Sequence, residues 1–594
     1  MIRISLKGSY IYLSIVATSI GLTFLVFTLL SCNDDGSVGN GNGSSSAEEL
    51  LAKSEPDECF CGIGAEDNGP ISNSATGDCS DLTPEEPLTV CLPKRNYSYI
   101  WGLTKIGSQI WFGTLQNTLC VFGSGFNPLL QQEPELGDNA VCEYQESYLA
   151  SMKPLPILGD LRTPKIMVYD TQTGLTQEIS VDNCEGGSEL LEGTLGLRQA
   201  GSFTSGDFEV VILAGPSLSG SINMFAFDPR TRVCLAARNF PQYNDARNNM
   251  IVVDGVLYST VGKSIDDENP EGGGRVLRYV GDIADPLRWE EVGKLDTIGA
   301  ALTFHEGRIF VGTWPNITVA LADPGVAQAP NLLNGPRPGI FMGPVVPPGG
   351  LTSANFNDWV KVWQTSDYEP DLTTSATYGI GDIESYGGKL WWGTLHVPLV
   401  AFAVHIVFLE FDLADPDCSS DPVCSARYNL AFVETRRASA IFRGSNFDST
   451  PEIELLYGES SLPAFNASTG QWEEKQNNMS AVPLFGQSGF NNSQNFYTWN
   501  MEVFGDRLYV ATFENQEEDF SPGNALGADL FRFRDLNSAA EPVSLDGFGN
   551  FFNYGFRTLL SDEDGKDGDH ALYIGTANPF NLAPEGGWEL WRLR

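Results

Sequence analysis

The chain has 594 residues, 42% of them hydrophobic and 11% aromatic, with 63 glycines, 34 prolines and 12 tryptophans. Aromatic and turn-forming residues in such supply favour an all-β protein over a helical one, and the length allows several domains or one large repeat domain. The 35 basic and 76 acidic residues leave a net charge of −41, which repels phosphate backbones and argues against nucleic acid as a partner.

Arg3 and Lys7 precede an apolar run, Tyr10 to Leu30, that ends in "LLSCNDD". A basic start followed by an apolar core is the pattern of an export signal, and the run is also long enough to cross a bilayer as a permanent anchor helix. Leu29-Leu30-Ser31-Cys32 resembles the lipobox of bacterial lipoproteins. That resemblance implies a signal peptide over residues 1–31, cleavage before Cys32, and a lipid carried on Cys32. The body would then sit in the bacterial cell envelope, lipid-anchored and extracytoplasmic, with the membrane as its partner. Residues 32–57, which include "GSVGNGNGSSSAEE", read as a flexible Gly/Ser-rich tether.

With Cys32 set aside ten cysteines remain, an even number that an exported chain is expected to pair. Cys418 with Cys424, bracketing "SSDPV", is the first expected disulfide and Cys120 with Cys142 the second. Residues 58–94 hold Cys59, Cys61, Cys79 and Cys91 and read as a small disulfide-stapled segment. A zinc site is the alternative there, but the C-x-C spacing and the lack of a nearby histidine speak against it.

Over residues 95–594 one short phrase recurs: "QIWFGTL" (Gln109–Leu115), "RIFVGTW" (Arg308–Trp314), "KLWWGTL" (Lys389–Leu395), "RLYVATF" (Arg507–Phe513) and "ALYIGTA" (Ala571–Ala577). A further short strand and a turn precede the copies, so the unit is a β-hairpin. Weaker copies end at Gly215, Thr260 and Ser460. A second alternating phrase follows most copies, as in "KIMVYDTQTG", "NMFAFDPRT" and the terminal "WELWRLR". Four short antiparallel strands per repeat, with no helical pattern between them, predict a β-propeller. Counting Thr114, Gly215, Thr260, Thr313, Thr394, Ser460, Thr512 and Thr576 gives eight blades, or seven if the copy at Ile453 is not a blade. The chain stops in the third strand of its last repeat, so a strand from the N-terminal side is expected to close the ring, with "PLTVCLP" (Pro87–Pro93) as the candidate. The segments "DYEPD", "LWWGTLHVP" and "NYGFRTLLSD" resemble uncharacterised secreted bacterial β-propeller lipoproteins, a group that implies no assigned activity.

Candidate chemistry is sparse. Of four histidines, His396 directly follows a Gly-Thr phrase and His405 lies nine residues on. "DYEPD" would place Asp367, Glu369 and Asp371 on one face of a strand, where like charges call for a cation or water. These five residues are the candidate ligand or channel site. "SDEDGKDGDH" (Ser561–His570) resembles a calcium loop, with Asp562, Asp564 and Asp567 as metal candidates and Lys566 standing where an oxygen ligand belongs. "FNASTGQWEE" resembles the repeated Thr-Gly-x-x-Trp phrase of quinoprotein propellers, but one good copy is too few to hold that cofactor. No G-x-S-x-G elbow, Walker loop or HExxH helix occurs. Two function classes follow: a binding or interaction scaffold whose propeller face takes a protein, glycan or small ligand, or an extracytoplasmic hydrolase or lyase using channel carboxylates and calcium. Cys32→Ala should abolish metabolic palmitate labelling and leave the precursor uncleaved; normal labelling of that variant would remove the lipid assignment.

Overall fold

A computed structural model describes residues 48–63, 70–73, 92–121, 139–142, 160–263, 272–315, 335–405, 422–514, 527–563 and 570–594. Cys32, Cys418, Asp564 and Asp567 lie outside them. Each recurrent phrase is the second strand of an antiparallel hairpin. Tyr97–Ile106 and Gln109–Gln116, for example, pair across a turn in which Gly107 takes φ 54°, a conformation that suits glycine.

The hairpins extend into four-stranded antiparallel sheets. The first contains Tyr97–Ile106, Gln109–Gln116, Ile166–Asp170 and Leu175–Glu178. The second contains Gln199–Ser205, Phe208–Pro216, Ile222–Asp228 and Val233–Phe240. In the third, two short strands, Tyr243–Ala246 and Ile251–Val253, share the innermost place beside Val256–Lys263, followed by Gly274–Tyr279 and Trp289–Leu295. Blade 4 runs through Ile298–His305, Arg308–Trp314, Gly339–Val345 and Val360–Gln364. Blade 5 is Gly379–Tyr386, Lys389–Leu395, Ile441–Ser445 and Glu452–Tyr457. Blade 6 is Asn495–Phe504, Arg507–Glu514, Leu530–Phe533 and Glu541–Ser544. Blade 7 takes Gly555–Asp562, Ala571–Ala577 and Glu589–Leu593, then Glu48–Lys53 from the other end of the chain.

Successive blades touch in sequence order, and blade 7 returns to blade 1 through Ala577 and Tyr99. The described residues therefore form a closed ring of seven blades, and the fold is an all-β β-propeller. The core is divided accordingly into seven apolar slabs, one between each pair of neighbours. A single blade leaves both of its faces uncovered, so the ring is the unit that buries them.

The repeated phrase has two tasks. Its glycine marks where the next blade leans in: a side chain at Gly113, Gly312, Gly393 or Gly575 would run into Leu197, Ile380, Thr498 or Ile100 respectively. The following threonine starts the third strand. Thr114, Thr313 and Thr394 Oγ1 each accept the N–H of Lys165, Gly339 and Ala440 at 2.8 Å, and Thr512 and Thr576 accept those of Asp529 and Glu589 at 3.1 and 2.9 Å.

Three expectations change. The copy ending at Ser460 is not a blade: Glu452–Tyr457 is the outer strand of blade 5, where alternating apolar residues followed by glycine produce the same local pattern. The closing strand is Glu48–Lys53, so the chain leaves the supposed tether and enters the sheet before residue 57. Leu92 and Pro93 of the expected closing segment instead pair with Glu58–Ile63 in a small three-stranded sheet, and the rest of that segment lies outside the described residues. Cys120 and Cys142 form the expected disulfide, and a second joins Cys184 to Cys234 in the slab between blades 1 and 2.

Gly393→Ala is expected to lower stability by about 1–3 kcal/mol, because the new methyl group overpacks the joint between blades 5 and 6. Gly193→Ala, where a methyl group would meet only ordinary contacts, serves as the control in denaturant titrations; equal small losses would refute the role given to the repeated glycine.

Candidate axial site

The upper end of the ring is where inner strands begin and second strands end. Inside it, the break in blade 3 has a structural consequence. The link from Arg247 to Met250 leaves the sheet and reaches the axis. Asn248 donates its backbone N–H to the Ala300 carbonyl of blade 4 (3.0 Å) and its side-chain amide to the Gly381 carbonyl of blade 5 (3.0 Å). Asn249 Oδ1 accepts the Leu103 N–H of blade 1 (3.2 Å). Asn500 donates to Asp382 (2.7 Å) and accepts from Leu559 N–H of blade 7 (2.7 Å). Groups from one link and one strand thus tie blades 1, 3, 4, 5, 6 and 7 across the middle, as a plug of hydrogen bonds.

Above this plug lies a cluster of aromatic and basic side chains, called the cup below. The inner strands of five blades carry an extra residue at Trp101, Ala300, Gly381, Trp499 and Arg557, and those of blades 1 and 6 a second one, at Ser98 and Phe496. A bulge bends a strand and re-aims its side chain. Trp101 and Trp499 join Tyr99, Leu395 and Tyr554 in one aromatic cluster drawn from blades 1, 5, 6 and 7, with Trp314, Tyr497 and Phe513 against it. At Ala300 and Gly381 the bulge brings almost no side chain, and the Asn248 link takes up the space. Tyr99 and Tyr554 join their hydroxyls by a hydrogen bond.

Three guanidiniums stand over these rings. Arg198 lies 5.2 Å from the Trp101 centroid and 5.5 Å from that of Trp314, Arg247 3.7 Å from Trp314, and Arg557 5.4 Å from Trp499. Each guanidinium is within cation–π distance of a tryptophan ring. Asp245 engages Arg247 at 2.6 Å and Arg198 at 3.8 Å. Among the described residues, the buried Nε atoms of Arg198, Arg247 and Arg557, and Arg557 Nη2, have no hydrogen-bond partner. Arg557 is 1% exposed. Burial, then the neighbouring Arg198 charge, lowers Arg557 to about 9, and burial lowers Arg247 to about 9 despite Asp245. All three remain cationic at neutral pH.

Asp382 on the floor is raised to about 7 by burial, against hydrogen bonds from Met501 N–H and its amide neighbours. Below the plug the lining turns acidic. Burial and mutual repulsion push Glu384 upward, and burial holds Glu502 at about 7, where its carboxylate meets the Ser561 hydroxyl at 2.5 Å.

The residues singled out from sequence lie elsewhere. Asp367 is exposed and caps a short turn by accepting Gln364 N–H (3.0 Å). Glu369, Asp371, His396 and His405 do converge, but beneath a cap on blade 5 built from the helices Pro398–His405 and Pro422–Glu434 and the hairpin Ser461–Gln476. Glu369 forms a two-pronged ion pair with Arg437 (2.7 and 3.1 Å). Asp371 accepts from His405 Nε2 (3.1 Å), Thr374 N–H (2.7 Å) and Phe465 N–H (3.0 Å). Burial works to raise Asp371, but these bonds hold it below the usual carboxylate range. His396 is buried beside Tyr378 and Arg437, and burial followed by the Arg437 charge lowers it to about 3, so it is neutral. These contacts hold the cap together, and Glu369 and His396 line a narrow pocket there with Tyr378 and Arg437. Asp562 is engaged by Lys105 at 2.9 Å. Among the described residues the one close group of potential metal ligands is Cys120, Cys142 and Asp160, in which the cysteines are bonded to each other and Asp160 pairs with Lys94 at 2.8 Å. Sequence reading missed Arg198, Arg247 and Arg557. The available signal was a basic residue at or just before the inner strand of three repeats in a strongly acidic chain.

No family model matches the chain, and no curated protein matches it. Among solved structures it is similar to the β-propeller domain of the Trilobed protease from Pyrococcus furiosus, at 7% identity over 75% of this chain and 84% of that one, with a TM-score of 0.30. It is also similar to a Dyadobacter fermentans protein of unknown function (9%, 84% and 96%, TM-score 0.34) and to an ulvan lyase of polysaccharide lyase family PL25 (7%, 83% and 93%, TM-score 0.36). The propeller assignment stands on the chain's own strand pairing and closed ring.

Because Asp382 rises from 3.8 unfolded to about 7 folded, the folded chain holds its proton across that interval, and stability falls as pH rises through it. Asp382→Asn should flatten this slope: between pH 5 and pH 8 the parent chain should lose more thermal stability than the variant. Parallel losses would mean that Asp382 titrates normally.

Proposed function

We propose that this chain is an extracytoplasmic binding propeller, held at a bacterial membrane by a lipid on Cys32, that takes an anionic ligand in the cup at its upper end. The observation that carries the reading is a charge inversion. In a chain of net charge −41, three guanidiniums gather over aromatic rings with four buried donor atoms unpartnered. Desolvated donors without acceptors cost free energy, and an incoming carboxylate, sulfate or phosphate would supply the acceptors. The lipobox resemblance supports the address.

A second reading is catalysis by a hydrolase or lyase. It rests on Asp382, a carboxyl held near neutrality on the floor of the cup within the field of Arg557, a setting suited to carrying a proton. Calcium at Asp562, Asp564 and Asp567 belongs to this reading as a proposal.

Trp101, Trp314 and Trp499 lie under the guanidiniums, so tryptophan fluorescence reports on the cup. Titration of the purified chain with acetate, sulfate, phosphate and glucuronate should give a saturable change with at least one anion, lost in Arg557→Gln. No response to any of them would sink the binding reading. Turnover of a bound ligand that disappears in Asp382→Asn while binding persists would favour the catalytic one.

A further inference from the structure

We propose that Lys94 and Asp160 condense into an amide, a covalent staple that fixes the small N-terminal sheet to the ring. This is independent of the anion-binding reading. Three observations lead there.

The first is burial. Lys94 is 0% exposed and the Asp160 side chain 1%, with Nζ 2.8 Å from Oδ1. A fully buried lysine is rare, and two dehydrated charges are costly to keep even as a pair. Condensation removes both charges and expels one water from a site closed to solvent.

The second is the set of groups around the pair. Asp160 Oδ1 also accepts from Asn117 Nδ2 at 3.2 Å and lies 3.8 Å from Arg162 Nη2. Donors fixed on that oxygen stabilise the negative charge that develops there when an amine adds to Cγ. Glu58 is the cross-strand partner of Lys94 in the small sheet, which sets the two side chains beside each other. Arg162 holds the Glu58 carboxylate at 2.7 and 3.0 Å. Burial works to raise Glu58, but the Arg162 and Lys94 charges hold it at about 2, so it is ionised.

Amine, acceptor and relay therefore meet in one place. Glu58 takes a proton from the Lys94 ammonium and passes it to Asp160 Oδ2. Nζ then bonds to Cγ, and the Cγ–Oδ2 bond breaks. Oδ2 leaves as water with two of the ammonium protons, and the third stays on the amide nitrogen. The ion pair is neutral overall, as are the amide and the water, so no further reactant is needed. Holding amine and carboxyl in contact supplies the effective concentration that the step requires.

The third is what the bond would join. Lys94 ends the strand Leu92–Lys94 of the three-stranded sheet outside the blades, and Asp160 precedes Ile166–Asp170, the third strand of blade 1. Three short strands cannot build an interior of their own. The two residues are 66 positions apart. The amide thus closes a chain loop as a disulfide does, and it survives reductants.

The test takes the full chain, freshly made by cell-free synthesis and shown to be folded by circular dichroism, then denatured, reduced and digested with trypsin for mass spectrometry. A branched peptide joining Lys94 to Asp160 is expected, one water lighter than its two parts and uncut after Lys94. Lys94→Arg keeps the charge and should give only separate peptides, with a lower melting temperature than the parent. Glu58→Gln should slow the growth of the linked fraction by at least about tenfold, the loss expected for a missing proton relay. Recovery of Lys94 and Asp160 in separate, unmodified peptides from the folded parent would overturn the proposal, and that result needs no variant to fold. Linkage in Glu58→Gln at the parent rate would overturn the relay.

Discussion

The joint between neighbouring blades is the constraint on which the rest of the molecule depends. It is made where a second strand ends in glycine and threonine. The glycine lets the next inner strand come within contact of the backbone, as Gly575 does for Ile100 across the seam of the ring. The threonine hydroxyl then captures the N–H that opens the third strand. One residue serves the neighbour and the next serves its own blade, so the same two-letter ending recurs at four of the seven positions with only small departures at the others. The seven apolar slabs follow from it, since their thickness is set by how closely the strands approach.

The cup is built from departures from that regularity. A strictly repeated inner strand would send equivalent side chains toward the axis from every blade. Instead, five blades add one or two residues to that strand and one blade breaks it. Where the extra residue is large it becomes wall or donor, as with Trp101, Trp499 and Arg557. Where it is small, at Ala300 and Gly381, it leaves space for the asparagine link from blade 3, which makes the floor. Basic and aromatic groups gather above that floor and carboxylates below it.

The architecture was legible because its signal is local and repeated: an alternating strand, a turn, and a fixed ending. The same locality explains the excess blade, since an outer strand followed by glycine, as at Ile453–Gly458, carries the same marks as a second strand. It also explains the misplaced closing strand. "PLTVCLP" has the β-branched residues of a strand, while "EELLAK" is short, charged and next to a Gly/Ser-rich run, and only its partner Glu589–Leu593 makes it a strand. The cup was not legible for the opposite reason. Arg198, Arg247 and Arg557 are hundreds of residues apart at the extremes, share no motif, and meet only because the ring closes. The histidines and the "DYEPD" acids stood out by residue type, and four of those five residues do meet, but as the buried fastening of a cap.

Ring closure by Glu48–Lys53 has a mechanical side. That strand starts at the lower end, opposite Leu593, and rises to Lys53, opposite Glu589. Whatever is joined to the chain ahead of Glu48 therefore pulls from the end of the barrel away from the cup. On the proposed reading, with the N-terminus lipid-anchored and a ligand held above, tension would run along the strand, across hydrogen bonds that lie perpendicular to it. Such a load shears the whole ladder at once instead of peeling it bond by bond, so the seam resists as a unit.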